Sequence, residues 1–288
     1  MAANELILSK NRAKTNKIIR ETLGYVIKIA IGLLFMIPIF VMMSWSLRPD
    51  AELVKYGASL LPHKWTFEYY AWCFQNLNLF KYIMNSFIQY AFVFAGHVVF
   101  SIMAAYAFVF CDFKGKGLVF GMILAAQAIP GEVTIIANYM TVQRLKWIDT
   151  WFGLCLPSVV SGMSIFMMRQ HFLTIPKEMK EASEIDGCGD IRFMVRILAP
   201  LSVPSLASLA IYDFIHVYNA WLWPLLVTNK DKMRTVQVGL AMAMTGEVYD
   251  EYGRVLAAST VVIIPTLLIF VIGQEYLIRG MVSGSVKG

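Results

Sequence analysis

Charged residues are scarce in this sequence: Asp, Glu, Lys and Arg make up 15% of the chain, whereas hydrophobic residues make up 58%. The mean hydropathy of +0.61 lies well above that of an ordinary soluble domain. The net charge of +6 comes from basic residues that lie between apolar runs rather than along one face, which argues against a nucleic-acid partner. The class that remains is that of membrane proteins that cross the bilayer several times.

Residue patterns for catalysis and metal binding are also missing. The four cysteines follow no CxxC spacing, which argues against a zinc site or a dense disulfide framework and leaves the redox environment open. The histidines form no HExxH pattern, and no GxSxG elbow or GxxxxGK[ST] phosphate loop is present. We therefore expect a chain that is not an enzyme and that binds no metal and no ATP. Two similar halves, as expected of many secondary transporters, are not visible either.

Six apolar stretches are long enough to cross a bilayer, since one helix needs about 20 apolar residues. Because only helices and closed barrels satisfy backbone groups in lipid, we predict an all-α membrane protein with six transmembrane helices. An N-terminal arm at 1–24 precedes the first span at 25–47, whose apolar run is too long for a signal peptide. An outer loop at 48–81 follows, and then a core domain at 82–288. Its five spans are predicted at about 82–110, 118–142, 151–168, 201–227 and 255–278.

The placement of Lys and Arg predicts the orientation of these spans. Segments on the cytoplasmic side of a membrane carry an excess of Lys and Arg, and the first segment usually dominates. The N-terminal arm is compact and basic, and a short turn at 111–117 adds two further lysines. We therefore expect both termini and the long polar loop at 177–200 to face the cytoplasm. The basic residues of the arm are Lys10, Arg12, Lys14, Lys17 and Arg20.

The loop at 177–200 is the longest polar segment in the second half of the chain. A glycine bend at 187–189 divides it into two short helical patterns. In the first, Met179, Ala182 and Ile185 recur every three residues. Apolar residues of the second follow the i, i+3, i+4, i+7 rule, namely Ile191, Met194, Val195 and Leu198. Two amphipathic helices joined by a bend would suit docking to a soluble partner; an ordinary solvated loop between spans is the alternative.

The spacing within this loop resembles the EAA loop in the membrane subunits of binding-protein-dependent ABC importers. That pattern is EAA, three residues, G, nine residues, I, any residue, LP. The matching positions here are Glu181-Ala182-Ser183, Gly187, Ile197 and Pro200, with Ser183 and Ala199 as small replacements. Further segments are similar to the second permease of carbohydrate importers of the maltose and glycerol-phosphate type: IPGEV (129–133), LTIPKEM (173–179), YNAWLWPL (218–225) and RGMVSGSVKG (279–288).

This resemblance implies a type I importer permease that passes a sugar or oligosaccharide from an external binding protein across a bacterial plasma membrane. Its partners would be a second, related permease in a heterodimer and two ATP-binding subunits, which would hold ATP and Mg. The chain itself would bind no cofactor. A permease for glycerol phosphate or a polyol phosphate is one alternative, and a stand-alone secondary transporter or a structural membrane scaffold is another.

The resemblance also implies how the loop would act. Its two helices would rest in a groove of one ATPase, with Glu181 and Asp186 at the groove rim. Ala182 and Gly187 would need to be small so that the helix and the bend come close to the partner. The remaining docking positions are expected to be the apolar anchors Met179, Ile185 and Met194, with Pro200 closing the pattern.

Polar and aromatic residues within the predicted spans are candidates for a substrate path, because ionisable groups are costly in lipid. Aromatic planes with hydrogen-bonding neighbours suit a sugar. The alternative is that Asp213 pairs with a neighbouring span and that the tryptophans form an interfacial belt. Ala220 stands where related fifth spans often carry an acid, so a sugar preference does not transfer. The candidates are Glu132, Asp213, His216, Tyr218, Asn219 and Trp221.

Overall fold

The structure is a computed structural model, and it describes residues 2–56, 59–244 and 252–282. Within these ranges the regular secondary structure is helical, without a β-strand. The part of the family-like segment RGMVSGSVKG that follows residue 282 lies outside the described residues. The first eight helices are α1 (Ala2–Trp45), α2 (Asp50–Tyr56), α3 (Glu68–Asn76), α4 (Leu79–Phe110), α5 (Lys116–Gln127), α6 (Gly131–Arg144), α7 (Trp151–Cys155) and α8 (Gly162–Phe172). The other seven are α9 (Glu178–Ile185), α10 (Asp190–Phe193), α11 (Ala199–Leu201), α12 (Val203–Tyr218), α13 (Leu222–Val227), α14 (Val236–Met244) and α15 (Tyr252–Val282).

The chain forms two compact units, residues 1–70 with 251–260 and residues 71–250 with 261–288. In the first unit, α1 continues without a break from the basic arm into the apolar run. Its stretch Lys17–Trp45 is long and apolar enough to cross a membrane. Apolar side chains along it, such as Leu33 and Phe35, are exposed, as expected for a helix whose surroundings are lipid.

A polar network orders the segment that follows α1. Arg48 is fully buried, and its guanidinium donates a hydrogen bond to the carbonyl oxygen of Ser59 over 2.7 Å. Glu52 accepts hydrogen bonds from the backbone N–H groups of His63 and Lys64. Burial alone would raise the pKa of the Glu52 carboxyl, but these N–H donors hold it below its ordinary value. Hydrogen bonds therefore connect the described parts of the first half of the predicted outer loop, residues 48–56 and 59–64.

The second unit is built around α4. This 32-residue helix packs mainly against α8, α12 and α14. At its N-terminal end, Asn85 donates to the carbonyl oxygens of Lys232 and Arg234 over 3.0 and 2.8 Å. Ser86 accepts a hydrogen bond from the backbone of Val236 over 2.9 Å, which fixes the start of α14. Polar side chains on the inner face of α4 thus attach distant segments to it.

Two of the predicted spans are bent, and a third bend lies between the loop at 177–200 and the predicted fifth span. The axes of α5 and α6 differ by 94° across a break that contains Pro130, at the position where the sequence predicts an interruption. The segment 151–158 meets α8 at 47°, and the segment 190–201 meets α12 at 76°. The predicted span at 201–227 is not one helix, because α12 ends at Tyr218 before α13 begins. Among the described residues, length and composition give three continuous spans, or up to six if each bent pair counts as one, so the number six stays a prediction.

Two apolar clusters form the core of the second unit. The larger joins α4 and α8 to the loop helices, and the smaller joins α4 to the segments around α6, α7 and α13. Gly96 allows α4 to approach Val159 closely, since a Cβ atom at Gly96 would lie 2.8 Å from the Val159 Cβ. The buried members of the larger cluster are Ile102, Ala105, Tyr106, Val109, Met168, Phe172, Ile175, Phe193 and Leu198.

Candidate functional site

The loop at 177–200 contains the two predicted helices. The first is α9, and the second begins as α10 and continues as a π-helical turn, Met194–Leu198, into α11. The bend between them is made by Gly187, whose φ of +72° is a conformation that side chains other than glycine rarely adopt. A Cβ atom at Gly187 would meet no other atom within 4 Å, so backbone conformation, and not crowding within the chain, calls for glycine here.

One side of this helix pair is apolar and exposed. Ile185 is 87% exposed and Ile191 75% exposed, and Met179 and Val195 are exposed as well. A shallow groove of about 460 Å³ lies on the same helix pair, and of these four side chains only that of Met179 lines it. Its lining residues are Met179, Ala182, Ser183, Asp186, Cys188, Arg192, Arg196 and Ile197. Among the predicted docking residues, Glu181, Ala182, Asp186, Gly187 and Pro200 are also exposed.

The apolar residues of the second helix differ in burial, whereas the sequence pattern predicts one common apolar face. Leu198 is buried, and Met194 is half-buried and packs against the larger core cluster. Ile191 and Val195 lie on the exposed side. The physical reason is that Phe193 and Leu198 fill the space beside α4 and α8, which turns their side of the helix inward. Met194 therefore contributes to anchoring the loop on its own core.

A buried lysine holds the two loop helices together and ties them to α4. The Lys180 Nζ atom lies 2.6 Å from Asp190 Oδ1 and 2.9 Å from Glu184 Oε1. The Tyr106 hydroxyl donates to the same Asp190 oxygen over 2.6 Å, and the Lys180 ammonium lies 5.3 Å from the Phe193 ring centre. We call Lys180, Glu184, Asp190 and Tyr106 the Lys180 cluster.

The charges of this cluster stabilise one another. Hydrogen bonds to Asp190 and then to Glu184 raise the pKa of Lys180 above its ordinary value. Hydrogen bonds from Lys180 and Tyr106 lower the pKa of Asp190. The sequence analysis did not identify this cluster. The available signal was the i, i+4 spacing of Lys180 and Glu184 within a charged loop, but nothing in the spacing relates Asp190 to Tyr106 in another helix.

A second polar cluster lies deep in the unit, where α12 meets α4. His97 Nδ1 is 2.8 Å from Asp213 Oδ2, and His97 Nε2 is 2.7 Å from the carbonyl oxygen of Ser158. A carbonyl oxygen only accepts hydrogen bonds, so Nε2 carries a proton, and the bond between Nδ1 and Asp213 shares one more. His97 and Asp213 are buried. Asp213 thus pairs with a neighbouring span, which is the alternative that the sequence left open.

The other candidate path residues occupy four different settings. Glu132 and Trp221 line an open pocket of about 420 Å³, and His216 lines a smaller cavity beside it. Tyr218 is 1% exposed and its hydroxyl donates to the carbonyl oxygen of Val262 over 3.1 Å, a packing position. Asn219 donates to the carbonyl oxygen of Ile215 over 2.7 Å. The open pocket is lined by Gly131, Glu132, Thr134, Ile135, Asn138, Pro157, Ser158, Ala220, Trp221, Leu222 and Trp223.

The structure also reveals polar residues of α4 that the sequence analysis did not single out. Asn85, Gln89, His97 and Ser101 are all buried, and with Val93 they recur every four residues on the inner face of the helix. The four-residue spacing of these polar residues was the feature of the sequence that could have revealed this inner face. Among the described residues, no group of three or more His, Cys, Asp or Glu side chains is placed to hold a metal ion.

Comparison with known proteins relates these features to a transporter family. The profile of the family described as "Binding-protein-dependent transport system inner membrane component" matches residues 97–283. The arabinooligosaccharides transport system permease protein AraQ of Bacillus subtilis (strain 168) is 31% identical over 261 residues, which cover 90% of this chain and 92% of AraQ. The sn-glycerol-3-phosphate transport system permease protein UgpE of Brucella abortus (strain 2308) is 33% identical over 273 residues, covering 92% and 97%.

A solved structure shares the fold. One chain of a bacterial ABC transporter involved in the import of the acidic polysaccharide alginate superposes with a TM-score of 0.78, covering 90% of this chain and 96% of that one. At 20% identity this likeness concerns the fold alone. The expectation of an all-helical membrane protein with a fold of the ABC importer type is therefore confirmed.

Proposed function

The chain belongs to the family of binding-protein-dependent transport system inner membrane components, and from this premise we propose that it is one of two permease subunits in an ATP-driven carbohydrate importer. It would receive a sugar or oligosaccharide from an external binding protein and pass it into the cytoplasm of a bacterium. The observation that carries the proposal is the helix pair at 178–198, with its exposed apolar side chains and its attachment to α4 through the Lys180 cluster.

The exposed side of the helix pair supports docking to an ATPase subunit. Large apolar side chains on a loop, such as Ile185 and Ile191, are unusual unless a partner covers them. The neighbouring groove mixes apolar and charged residues, including Asp186 and Arg192, as the rims of protein interfaces do. In this proposal Met179 and Ile185 are apolar anchors, Glu181 and Asp186 make polar contacts, and the partner approaches the open space around Gly187.

The Lys180 cluster supports a route for coupling. Closure of the ATPases would move α9, and a helix transmits motion only through parts that are firmly attached to it. Lys180 joins α9 to the second helix through Asp190, and Asp190 is joined to α4 through Tyr106. Phe193 is fully buried in the larger apolar cluster of the second unit and adds an apolar attachment to α4. Displacement of the loop would thus reach α4.

The composition of the open pocket favours an uncharged carbohydrate over a phosphate ester. The two relatives described above are named for an arabinooligosaccharide and for glycerol 3-phosphate. A phosphate is usually bound by Arg or Lys, or at a helix N-terminus with open N–H groups. The start of α6 lines this pocket, but its first turn carries the carboxylate of Glu132, which would repel a phosphate. The residues that line the pocket include no Lys or Arg, and one of them is the acid Glu132. Its tryptophans, Trp221 and Trp223, suit the apolar face of a sugar ring.

The remaining parts of the proposal concern topology and partners. We propose six spans, three of which consist of two helices each: α5 with α6, α7 with α8, and α12 with α13. Both termini and the loop at 177–200 lie in the cytoplasm in this proposal. The partners are a second related permease and two ATP-binding subunits, which hold the ATP and Mg, so that this chain needs no cofactor. The basic face of α1, with Lys17 and Arg20 exposed before the apolar run, supports this orientation.

The test is co-purification of the tagged chain in a gentle detergent. Glu181→Lys reverses a charge on the exposed side of α9, and Glu68→Lys makes the same change on α3 as a matched control. We expect the wild type and the control to recover a related permease and an ATPase, and Glu181→Lys to lose the ATPase only. If the wild type is recovered alone and still moves substrate when reconstituted by itself, a secondary carrier is the correct function.

A further inference from the structure

A small cavity of about 220 Å³ lies between α4, α12 and α13. We propose that this cavity is a subsite for a hydroxyl-bearing part of the transported carbohydrate, with Gln89 as its main hydrogen-bonding residue. The inference rests on the proposed function as a carbohydrate permease. The lining residues are Gln89, Val93, His97, Ser158, His216, Val217, Ala220 and Trp223.

Gln89 carries the strongest sign of a missing partner. Its side chain is 3% exposed, and its Oε1 atom has no hydrogen-bond partner among the described residues. A buried acceptor without a partner costs about 1–3 kcal/mol, and most such groups in proteins are satisfied. Gln89 is one of the residues that line the cavity, so a hydroxyl group bound there can supply the missing donor once the amide turns toward it. Amide groups both accept and donate, as hydroxyl groups do, which makes the two well matched.

The other walls are held in place by hydrogen bonds within the protein. His97 uses both ring nitrogens, on Asp213 and on the Ser158 carbonyl oxygen. The Trp223 indole N–H donates to the carbonyl oxygen of Leu154 over 3.1 Å, which fixes the orientation of the indole ring. Because these polar groups are already occupied, the ring surfaces of the two side chains are what they offer to a ligand, and such surfaces suit the C–H face of a sugar.

The cavity adjoins the open pocket of the proposed path. Ser158, Ala220 and Trp223 line both spaces. Ala220 has no side chain beyond Cβ at this boundary, at the position where similar fifth spans often carry an acid. The volume of the cavity is below the roughly 300–1,000 Å³ of pockets that enclose a whole drug-sized ligand, so one sugar ring or part of one is the group that fits. No Lys or Arg lines the cavity, which favours an uncharged group.

The experiment uses the whole importer in lipid vesicles, with its ATPases and with binding protein saturated by the carbohydrate. Gln89→Leu replaces the amide by an apolar group of similar size, and Gln143→Leu makes the same change at an exposed position of α6. We expect Gln89→Leu to lower carbohydrate uptake about threefold to tenfold, the usual effect of one lost hydrogen bond. Its thermal unfolding midpoint should equal or exceed that of the wild type, because an unsatisfied acceptor is removed. Gln143→Leu should match the wild type in both measurements.

A second variant tests the passage between the two spaces. Ala220→Leu extends a side chain at their boundary and should lower uptake while Gln89 remains in place. Uptake at the wild-type rate in both Gln89→Leu and Ala220→Leu would overturn the subsite. A fall in uptake that only parallels a lower unfolding midpoint of Gln89→Leu would also overturn it, since the amide would then be a structural group bonded to water. In both cases the wild type still imports carbohydrate; if it imports none, the proposed function fails as well.

Discussion

The two polar attachments on α4, the Lys180 cluster and the pair of His97 with Asp213, differ in how far water reaches them. The Asp190 side chain is 61% exposed, although its partner Lys180 is only 10% exposed. The side chains of His97 and Asp213 are 7% and 2% exposed. An ion pair in contact with water can be broken at moderate cost, whereas a group left alone in a buried site cannot be solvated. The first attachment therefore suits a moving loop, and the second suits a fixed junction.

The surroundings of the two attachments differ in the same way. The loop helices expose Ile185 and Ile191 and have open space around Gly187. Near His97, the chain is packed so closely that Gly96 leaves no room for a Cβ atom beside Val159. One end of α4 thus carries a helix pair with exposed apolar side chains, and its middle part is packed closely against Val159, beside the small cavity that Gln89 and His97 line. Four predictions test this contrast, from the largest expected effect to the smallest.

Breaking the deep pair should have the largest effect on stability. Asp213→Ala leaves His97 without its carboxylate in a buried site, which typically costs about 3–5 kcal/mol of unfolding free energy. The measurement is the thermal unfolding midpoint of the purified complex. The double variant His97→Leu with Asp213→Leu removes both partners and should recover most of the loss. A single variant as stable as the wild type would show that the pair is not a junction.

Straining the glycine bend should affect coupling more than folding. Gly187→Val forces valine into a φ of +72°, whereas Gly189→Val is the matched control at a φ of −70°. Neither position has atoms within 4 Å of a new Cβ, so crowding within the chain is equal. We expect Gly187→Val to lower the amount of sugar transported per ATP hydrolysed about tenfold. The reason is that valine at this φ adds a backbone strain of roughly 1–3 kcal/mol at the bend. The amount of complex in the membrane should stay unchanged.

Equal coupling in the two glycine variants would contradict this interpretation of the bend. Loss of the Gly187→Val complex from the membrane would assign the bend to folding instead, and it would make the two ends of α4 more alike than the structure suggests.

Removing the charge of Lys180 should have a smaller effect on coupling. Lys180→Met keeps the length of the apolar stem over Phe193 and removes the bonds to Asp190 and Glu184. We expect sugar transported per ATP to fall about threefold, because the apolar contacts of Phe193 still hold the loop on α4. Lys177→Met, on an exposed lysine at the start of the same loop, is the control and should behave as the wild type. A larger loss than in Gly187→Val would make the ion pairs the main attachment.

The pH dependence of the stability contributed by the Lys180 cluster should be the smallest effect. Because the pKa of Asp190 is lowered, its contribution is complete above the ordinary Asp range and is lost only as the pH falls through the lowered value. Because the pKa of Lys180 is raised, its contribution is complete below the ordinary Lys range and is lost only at more alkaline pH. The difference in unfolding midpoint between the wild type and Asp190→Asn should thus be constant from about pH 5 to pH 9. A difference that changes near pH 7 would mean that another group titrates in the cluster.

Local features of the loop were accessible from the sequence because they depend on neighbours in the chain. The recurrence of apolar residues every three positions from Met179 to Ile185 predicts a helix, and the glycine at 187 predicts the bend that follows it. The long apolar runs indicated a multi-pass membrane protein. The π-helical turn at 194–198 and the division of the second helix into a buried and an exposed side did not follow from periodicity, because the core beside α4 decides which residues are covered.

The sequence by itself determined the class of this protein, its apolar segments, the family-like loop and the residue types available for a polar path. Only the tertiary structure decided that Asp213 pairs with His97, 116 residues away, that Asp190 meets Tyr106, 84 residues away, and that Gln89 faces a cavity. The physical reason is that helix periodicity shows which side chains share a face, while the partner of a buried polar group is set by how distant helices pack.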